Sequence, residues 1–149
     1  MYRHLLIPTD GSELAHKAVV QGLSLARLCG AKVTALTVEH PFYVYDVLPS
    51  SKMDNTPGVF VEYAEYVKAH STNILSEVAG AAKDSGVSCE LVQIEQDQAH
   101  EAIIAVATKK GCDLIVMASH GRSGLAAVLL GSVTVKVLTH TKLPVLVCH

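Results

Sequence analysis

Two polar turns in this chain of 149 residues carry residue types suited to binding a phosphorylated ligand. The first follows a short apolar run and contains a proline, a carboxylate and two hydroxyl groups, from Pro8, Thr9, Asp10 and Ser12. Its polar side chains would form a rim for a ligand, or would only cap the helix that starts there. Spacing alone leaves both interpretations open.

The second turn combines glycines with small polar side chains, and it lies between an apolar run and the last helical stretch. Its candidate binding residues are Met117, Ala118, Ser119, His120, Gly121, Gly131, Ser132, Val133 and Thr134. Glycine lets backbone N–H groups approach a ligand closely, and a helix beginning at Ser132 would offer unpaired donors and its positive dipole end. No Asp or Glu follows Asp113, so this segment does not repel an anion. We interpret the turn as a phosphate site; the alternative is that its glycines serve only as turn residues.

Other chemistries fit these residues less well. The chain lacks the G-x-x-x-x-G-K-[ST] loop and has no G-x-G-x-x-G turn after its first strand, which disfavours P-loop nucleotidases and dinucleotide dehydrogenases. Ser119 and His120 hint at a nucleophile elbow, but Met117 replaces its first glycine and no acid follows to complete a triad. A phosphoacceptor receiver domain stays open, although Asp10 is a single acid where such domains have a pair.

The eight histidines show no metal-ligand spacing. We expect most of them at the surface or at helix ends. Only His120 falls in the predicted crevice, where it would either bond a phosphate or shape the turn.

The elements that position these turns alternate between strand and helix. Five aliphatic and β-branched runs have strand length: residues 5–9, 31–38, 87–94, 113–118 and 144–148. Helical spacing is found at Ala15, Ala18, Val19, Leu23 and Ala26, and again at Ala99, Ala102, Ile103, Val106 and Ala107. Two N-cap candidates and three glycines after helix ends support these boundaries, namely Ser12, Asp97, Gly30, Gly86 and Gly111.

This alternation predicts an α/β fold, an open doubly wound five-stranded parallel sheet of Rossmann-like type with helices on both faces. Such sheets bind ligands outside the carboxyl ends of the strands, where the strand order reverses. We therefore predict that the first and fourth strands are neighbours and that their two turns form one crevice.

Residues 39–58 form an unusually long connection. Six of the seven aromatic residues lie in it or just after it: Phe42, Tyr43, Tyr45, Phe60, Tyr63 and Tyr66. They would either plug one end of the sheet and anchor the loop, or form a lid that binds a ligand or partner.

The composition describes an apolar chain with nearly balanced charge. Hydrophobic residues make up 50% and charged residues 17%, the mean hydropathy is +0.33 and the formal net charge is −2. Since no basic run, bilayer-length apolar segment or signal-peptide layout is present, we expect a cytosolic protein with neither nucleic acid nor a membrane as partner. We expect one domain over residues 1–149, with its four cysteines as small buried hydrophobes.

Segments 6–12, 113–121, 129–133 and 144–147 resemble the universal stress protein family, and the similarity runs along essentially the whole chain. ATP-binding members carry G-x2-G-x9-G-[ST]; Gly121, Gly131 and Ser132 match it, and Ala118 stands at the first glycine position. The resemblance implies an adenine nucleotide alpha hydrolase-like fold that binds ATP, with Mg²⁺ carried by the nucleotide. The implied nucleoside contacts are Asp10 and Val38, and the implied phosphate contacts are Ala118, Gly121, Gly131, Ser132 and Val133. It also implies a homodimer through the last strand, at Val145, Leu146, Val147 and Cys148.

We therefore expect an ATP-binding, nucleotide-dependent regulatory module of the stress response. Hydrolysis would be slow at most, because apart from Asp10 and His120 the crevice offers no group to activate water. The main alternative is a stress-response dimer that binds no nucleotide and acts through protein–protein interaction. An enzyme of the adenylate-forming type is a third hypothesis.

Overall fold

The computed structural model describes residues 1–41, 57–121 and 130–149, without the side chains of residues 57–60, 62 and 63. Its elements are β1 His4–Pro8, α1 Glu13–Cys29, β2 Lys32–Glu39, α2 Pro57–Asp84, β3 Cys89–Glu95, α3 Ala99–Lys110, β4 Leu114–Ala118, α4 Ser132–His140 and β5 Val145–Cys148. All five predicted strands are confirmed, and their ends differ from the prediction by at most two residues. The predicted aromatic plug or lid lies outside the described residues at Phe42, Tyr43 and Tyr45, and the side chains of Phe60 and Tyr63 also lie outside them.

The strands form one parallel sheet in the order β3-β2-β1-β4-β5. The chain moves outward from β1 through β2 to β3, then returns to the other side of β1 for β4 and β5. In register, Leu5 lies beside Leu114 and Leu6 beside Ile115. The predicted neighbours β1 and β4 are therefore confirmed, and the strand order reverses between them.

Helices cover both faces of the sheet, as expected for strands that are apolar on both sides. The side chains of α1 and α2 pack with alternate strand residues such as Leu5, Ile7 and Val116 in one core cluster. Those of α3 and α4 pack with Leu6 and Ile115 in the other. Within the described residues, no helix is long and apolar enough to cross a bilayer.

Local signals set most of the helix ends. Ser12 caps α1 as predicted, because its Oγ accepts a hydrogen bond of 3.2 Å from the Ala15 amide. Gly30 ends that helix in the left-handed region at φ 65°, also as predicted. The prediction for α3 is wrong by one residue: Gln98, and not Asp97, is the N-cap. Its backbone is extended and its carbonyl accepts the first helical amides.

The expected burial of the four cysteines is only half right. Cys112 and Cys148 are buried, whereas Cys29 and Cys89 are half-buried at the edge of the core, and all four are free thiols. Burial raises the pKa of Cys112 to about 11, so its thiol stays protonated at neutral pH.

Two histidines depart from the expected surface positions, because His4 and His100 are buried. Within the sheet, the His4 ring nitrogen Nε2 lies 2.8 Å from Thr34 Oγ1 on the neighbouring strand. Burial lowers the pKa of His4, and the charge of Lys32 lowers it further. His4 therefore serves as a neutral core residue with a hydrogen bond.

Candidate functional site

The two polar turns meet where the strand order reverses. Beyond the end of β1, the Thr9 amide donates a hydrogen bond of 2.8 Å to the carbonyl of Leu36 on β2. The Asp10 carboxylate then accepts a bond of 3.0 Å from the Ser12 amide. A Cβ atom added to Gly121 would lie only 2.5 Å from Asp10 Oδ2, so a larger residue there would displace the Asp10 carboxylate.

The second turn is tied to the sheet by its backbone. The Ser119 amide donates a hydrogen bond of 2.8 Å to the Cys148 carbonyl of β5. The Gly131 amide donates a hydrogen bond of 2.7 Å to the Ser119 carbonyl. The buried Thr134 hydroxyl donates a hydrogen bond of 3.0 Å to the carbonyl of Ala118. Ala118 is the last residue of an extended strand, so alanine at the first motif position causes no backbone strain.

The α4 helix begins at Ser132 as predicted, with Gly131 as its N-cap. The described residues provide no side-chain cap at this end, and the first turn contains no acid. A Cβ on Gly131 would lie 3.0 Å from His120 Cβ and 3.1 Å from His120 Cα, so this glycine also permits a close approach. The first-turn amides and the helix dipole make the end of α4 attractive to an anion.

A cavity of about 670 Å³ opens over these turns. It is lined by every predicted binding residue except Ser119, namely Pro8, Thr9, Asp10, Val38, Met117, Ala118, His120, Gly121, Gly131, Ser132, Val133 and Thr134. Ser119 is fully buried, its Oγ lies 3.2 Å from His120 Nδ1, and it lines a second, smaller pocket. Its role in the main cavity is therefore to hold the turn through its backbone.

Sequence reasoning missed the other walls of this cavity. Besides Ala15 and Leu36, they comprise Thr37, Glu39 and His40 at the end of β2, Tyr66, Val67, His70, Ser71 and Ile74 on α2, and Ala99 and Ile103 on α3. The α2 residues follow the spacing i, i+4, i+8, which is the signal that could have identified one helical face.

Two expectations about this end of the sheet need correction. His120 is not the single histidine of the crevice, because His40 and His70 also line the cavity. Tyr66 does not plug the sheet, since it is 69% exposed. Its ring instead lies parallel to that of His70, with centroids 6.3 Å apart and an angle of 3° between the planes.

The cavity lining combines a few titratable side chains with a larger neutral surface. Its titratable residues within the described chain are two carboxylates, three histidines and the phenol of Tyr66, with no Lys or Arg among them. Among the described residues, the groups able to hold an anion are therefore backbone amides and hydroxyl groups near α4. The rest of the described lining is neutral hydroxyl or aliphatic surface, which suits an uncharged part of a ligand.

Comparison with known proteins covers the whole chain. The universal stress protein family model matches residues 1–149. A universal stress protein of Methanocaldococcus jannaschii is 34% identical over 147 residues, which are 99% of this chain and 82% of that protein. The chain belongs to the universal stress protein family.

Solved structures similar to this universal stress protein agree in fold. The structure of MJ0577, a second such protein of the same organism, has a TM-score of 0.79 at 28% identity and covers 99% of this chain and 96% of its own. A universal stress protein in complex with cAMP has a TM-score of 0.72 at 26% identity, with coverages of 99% and 97%. The predicted α/β fold and the resemblance are both confirmed.

Proposed function

We propose that the cavity binds ATP and that this universal stress protein is a cytosolic, nucleotide-dependent regulatory module of the stress response. The observation that carries the proposal is the close approach of two polar turns beside the N-terminus of α4. The cAMP bound by a relative of 26% identity, which is an adenine nucleotide, supports the same ligand class.

The phosphates would accept hydrogen bonds from the amides of Gly121 and Ser132, with Ala118, Gly131 and Val133 beside them; the Gly131 amide is already bonded to the Ser119 carbonyl. These residues all line the cavity. Helix N-termini and glycine turns bind phosphate because their amides point outward and are not used within the helix.

The nucleoside would contact Asp10 and Val38, which also line the cavity. A carboxylate accepts hydrogen bonds from hydroxyl groups, and the ribose offers two of them. The Ser12 amide holds the Asp10 carboxylate in position with a bond of 3.0 Å.

Mg²⁺ would enter with the nucleotide. The described residues contain no group of three or more His, Cys, Asp or Glu side chains able to hold a metal ion, so the phosphates would supply its main anionic ligands. We propose binding with slow hydrolysis at most, because the described lining has no Lys or Arg to stabilise a transferring phosphoryl group.

Isothermal titration calorimetry with ATP, AMP and GTP tests the proposal. We expect ATP to bind, and AMP to bind more weakly because it lacks the outer phosphates. Absence of any heat with ATP at millimolar concentration would overturn the proposal. Nucleotide retained after purification would support it directly.

We also propose a homodimer through β5, which is an edge strand of the sheet. Leu146 on this strand and Val135 and Leu138 on α4 expose about two-fifths of their surface, at 39%, 42% and 39%. A second copy would cover an edge that otherwise presents unpaired backbone groups. These exposed apolar side chains also favour the second candidate function, a dimer that acts through protein–protein interaction without nucleotide, and the ATP titration distinguishes the two.

A further inference from the structure

Within the described residues, Thr37 has the one buried side-chain polar atom without a hydrogen-bond partner, its hydroxyl oxygen. Thr37 is only 4% exposed. Other buried threonine hydroxyls have hydrogen-bond partners. Thr34 Oγ1 lies 2.8 Å from His4 Nε2, and the Thr134 hydroxyl donates a hydrogen bond of 3.0 Å to the Ala118 carbonyl. Native structures rarely leave such a group unbonded, so the Thr37 hydroxyl requires an explanation.

Thr37 lies near the end of β2 and lines the same cavity as the two turns. Strand residues alternate between faces, so Thr37 shares a face with Val33 and Ala35, which pack against α1 and α2. Its neighbour Val38 belongs to the opposite face with Leu36. At the end of β2, the cavity therefore extends to both faces of the sheet. Thr37 lies on the face that is covered by α1 and α2.

On that side the cavity is bounded by Tyr66, His70, Ser71 and Ile74, which we call the α2 wall. The wall combines a stacked pair of rings with a hydroxyl and an aliphatic side chain. These four residues carry no carboxylate, and no described Lys or Arg lines the cavity. The Glu39 carboxylate, two residues after Thr37 on β2, also lines the cavity and accepts a hydrogen bond from Gln93 Nε2. Such a surface suits a flat heteroaromatic group that has polar atoms along its edge.

The strand order defines the direction in which a nucleotide would lie. Strand β1 separates β2 from β4 in the sheet, so the ends of β2 and β4 are about 10 Å apart at a spacing of about 4.8 Å per strand. With the phosphates at β4 and α4, the ribose would lie near Asp10 after β1, and the base would reach the end of β2. This order matches the covalent order of a nucleotide.

We propose that the Thr37 hydroxyl hydrogen-bonds to the polar edge of the purine base and positions the base against the α2 wall. This inference rests on the proposed ATP binding. A hydroxyl both donates and accepts, and the edge of adenine offers ring nitrogens and an amino group. Because the oxygen is covered in this structure, binding would include a rotation about χ1 that brings the hydroxyl to the cavity.

The decisive variant is Thr37→Val, which keeps the shape and removes the hydroxyl. We expect ATP affinity to fall about 3- to 10-fold, as for loss of one neutral hydrogen bond. Affinity for tripolyphosphate, which has no base, should not change. Thr37→Ser retains the hydroxyl and should keep ATP affinity within about twofold of wild type.

The matched control is Thr34→Val, the same substitution on the same strand. It removes the bond to His4 and should lower the melting temperature, while ATP affinity stays unchanged. Thr37→Val removes an unbonded hydroxyl, so the melting temperature of the ligand-free protein should stay equal or rise by about 2–4 °C. If Thr37 had only a structural role, Thr37→Val would not weaken ATP binding while leaving the melting temperature of the ligand-free protein unchanged or higher.

The outcomes separate the two proposals. If wild-type protein binds ATP and Thr37→Val binds it equally well, the base does not use Thr37 and this inference is overturned alone. An equal loss of tripolyphosphate affinity would also overturn it, because Thr37 would then act on the phosphates. If wild-type protein binds no ATP, the proposed function fails and this inference fails with it.

Discussion

Replacing Gly131 by aspartate or by asparagine tests where the phosphates bind, because the two side chains differ by one negative charge and little in shape. Both are favourable N-caps, so each would accept hydrogen bonds from the first-turn amides of α4 that we assign to phosphate. Both add a Cβ atom 3.0 Å from His120 Cβ, so both require the same small shift of His120.

The added charge determines how far the two variants differ. A carboxylate about 5 Å from a bound phosphate, at an effective dielectric constant of about 20, costs about 3 kcal/mol for each unit of charge. Since about 1.4 kcal/mol corresponds to a tenfold change in affinity, Gly131→Asp should bind ATP at least about 100-fold more weakly than Gly131→Asn.

The assay is calorimetric titration with ATP at about 0.15 M ionic strength, where charges this close remain only partly screened. Adenosine is the control ligand, because it has no phosphate and should bind the two variants equally. Melting temperatures verify that both variants fold. Equal ATP affinities would refute the reasoning, since the phosphates would then lie away from the N-terminus of α4.

Three further predictions concern other parts of the structure. Gly121→Ala adds a Cβ 2.5 Å from Asp10 Oδ2, so the Asp10 side chain must move; it should weaken ATP binding and reduce the free energy of unfolding by about 0.5–1.5 kcal/mol. The control Gly80→Ala, with open space at the added Cβ, should raise that free energy by about 1 kcal/mol in thermal melts. Burial lowers the pKa of His4 from 6.5, so the unfolded chain binds the proton more readily and stability should fall as pH drops below 6.5. Denaturant melts of wild type and His4→Gln check this, and equal pH slopes would contradict it. Leu146→Lys should convert the dimer to monomer in sedimentation velocity without changing ATP affinity; a dimer that persists would rule out the β5 interface.

The fold was predictable because its determinants are local. Each buried strand is a short run of β-branched and aliphatic residues, and each crossover helix has an apolar stripe. Ser12 and Gly30 provide specific start and stop signals, and the structure contains both. Asp97 was assigned wrongly because two adjacent polar residues precede α3 and either could cap it; the extended backbone at Gln98 decides the register.

Half of the candidate site was predictable for a different reason. Two polar turns after parallel strands can be assigned to one crevice as soon as the topology is known, so Asp10 and Gly121 could be brought together from the sequence. The α2 wall was missed, because its i, i+4, i+8 spacing joins Tyr66, His70 and Ile74, which are not all apolar. Apolar periodicity detects faces that pack against a core, and this face does not stand out from solvent-facing surface.

Unused hydrogen-bonding capacity is concentrated at one end of the described sheet. At the amino end, the Asp113 carboxylate accepts bonds from the Arg3 and His4 amides. At the carboxyl end, the Thr37 hydroxyl is unbonded and α4 begins without a side-chain cap. The topology places helix starts at this end, and α3 also begins there without a side-chain cap. The unbonded Thr37 hydroxyl is the feature that folding leaves unexplained, because a valine there would remove it. Thr37 and the start of α4 line one cavity, and a nucleotide would satisfy them at its opposite ends.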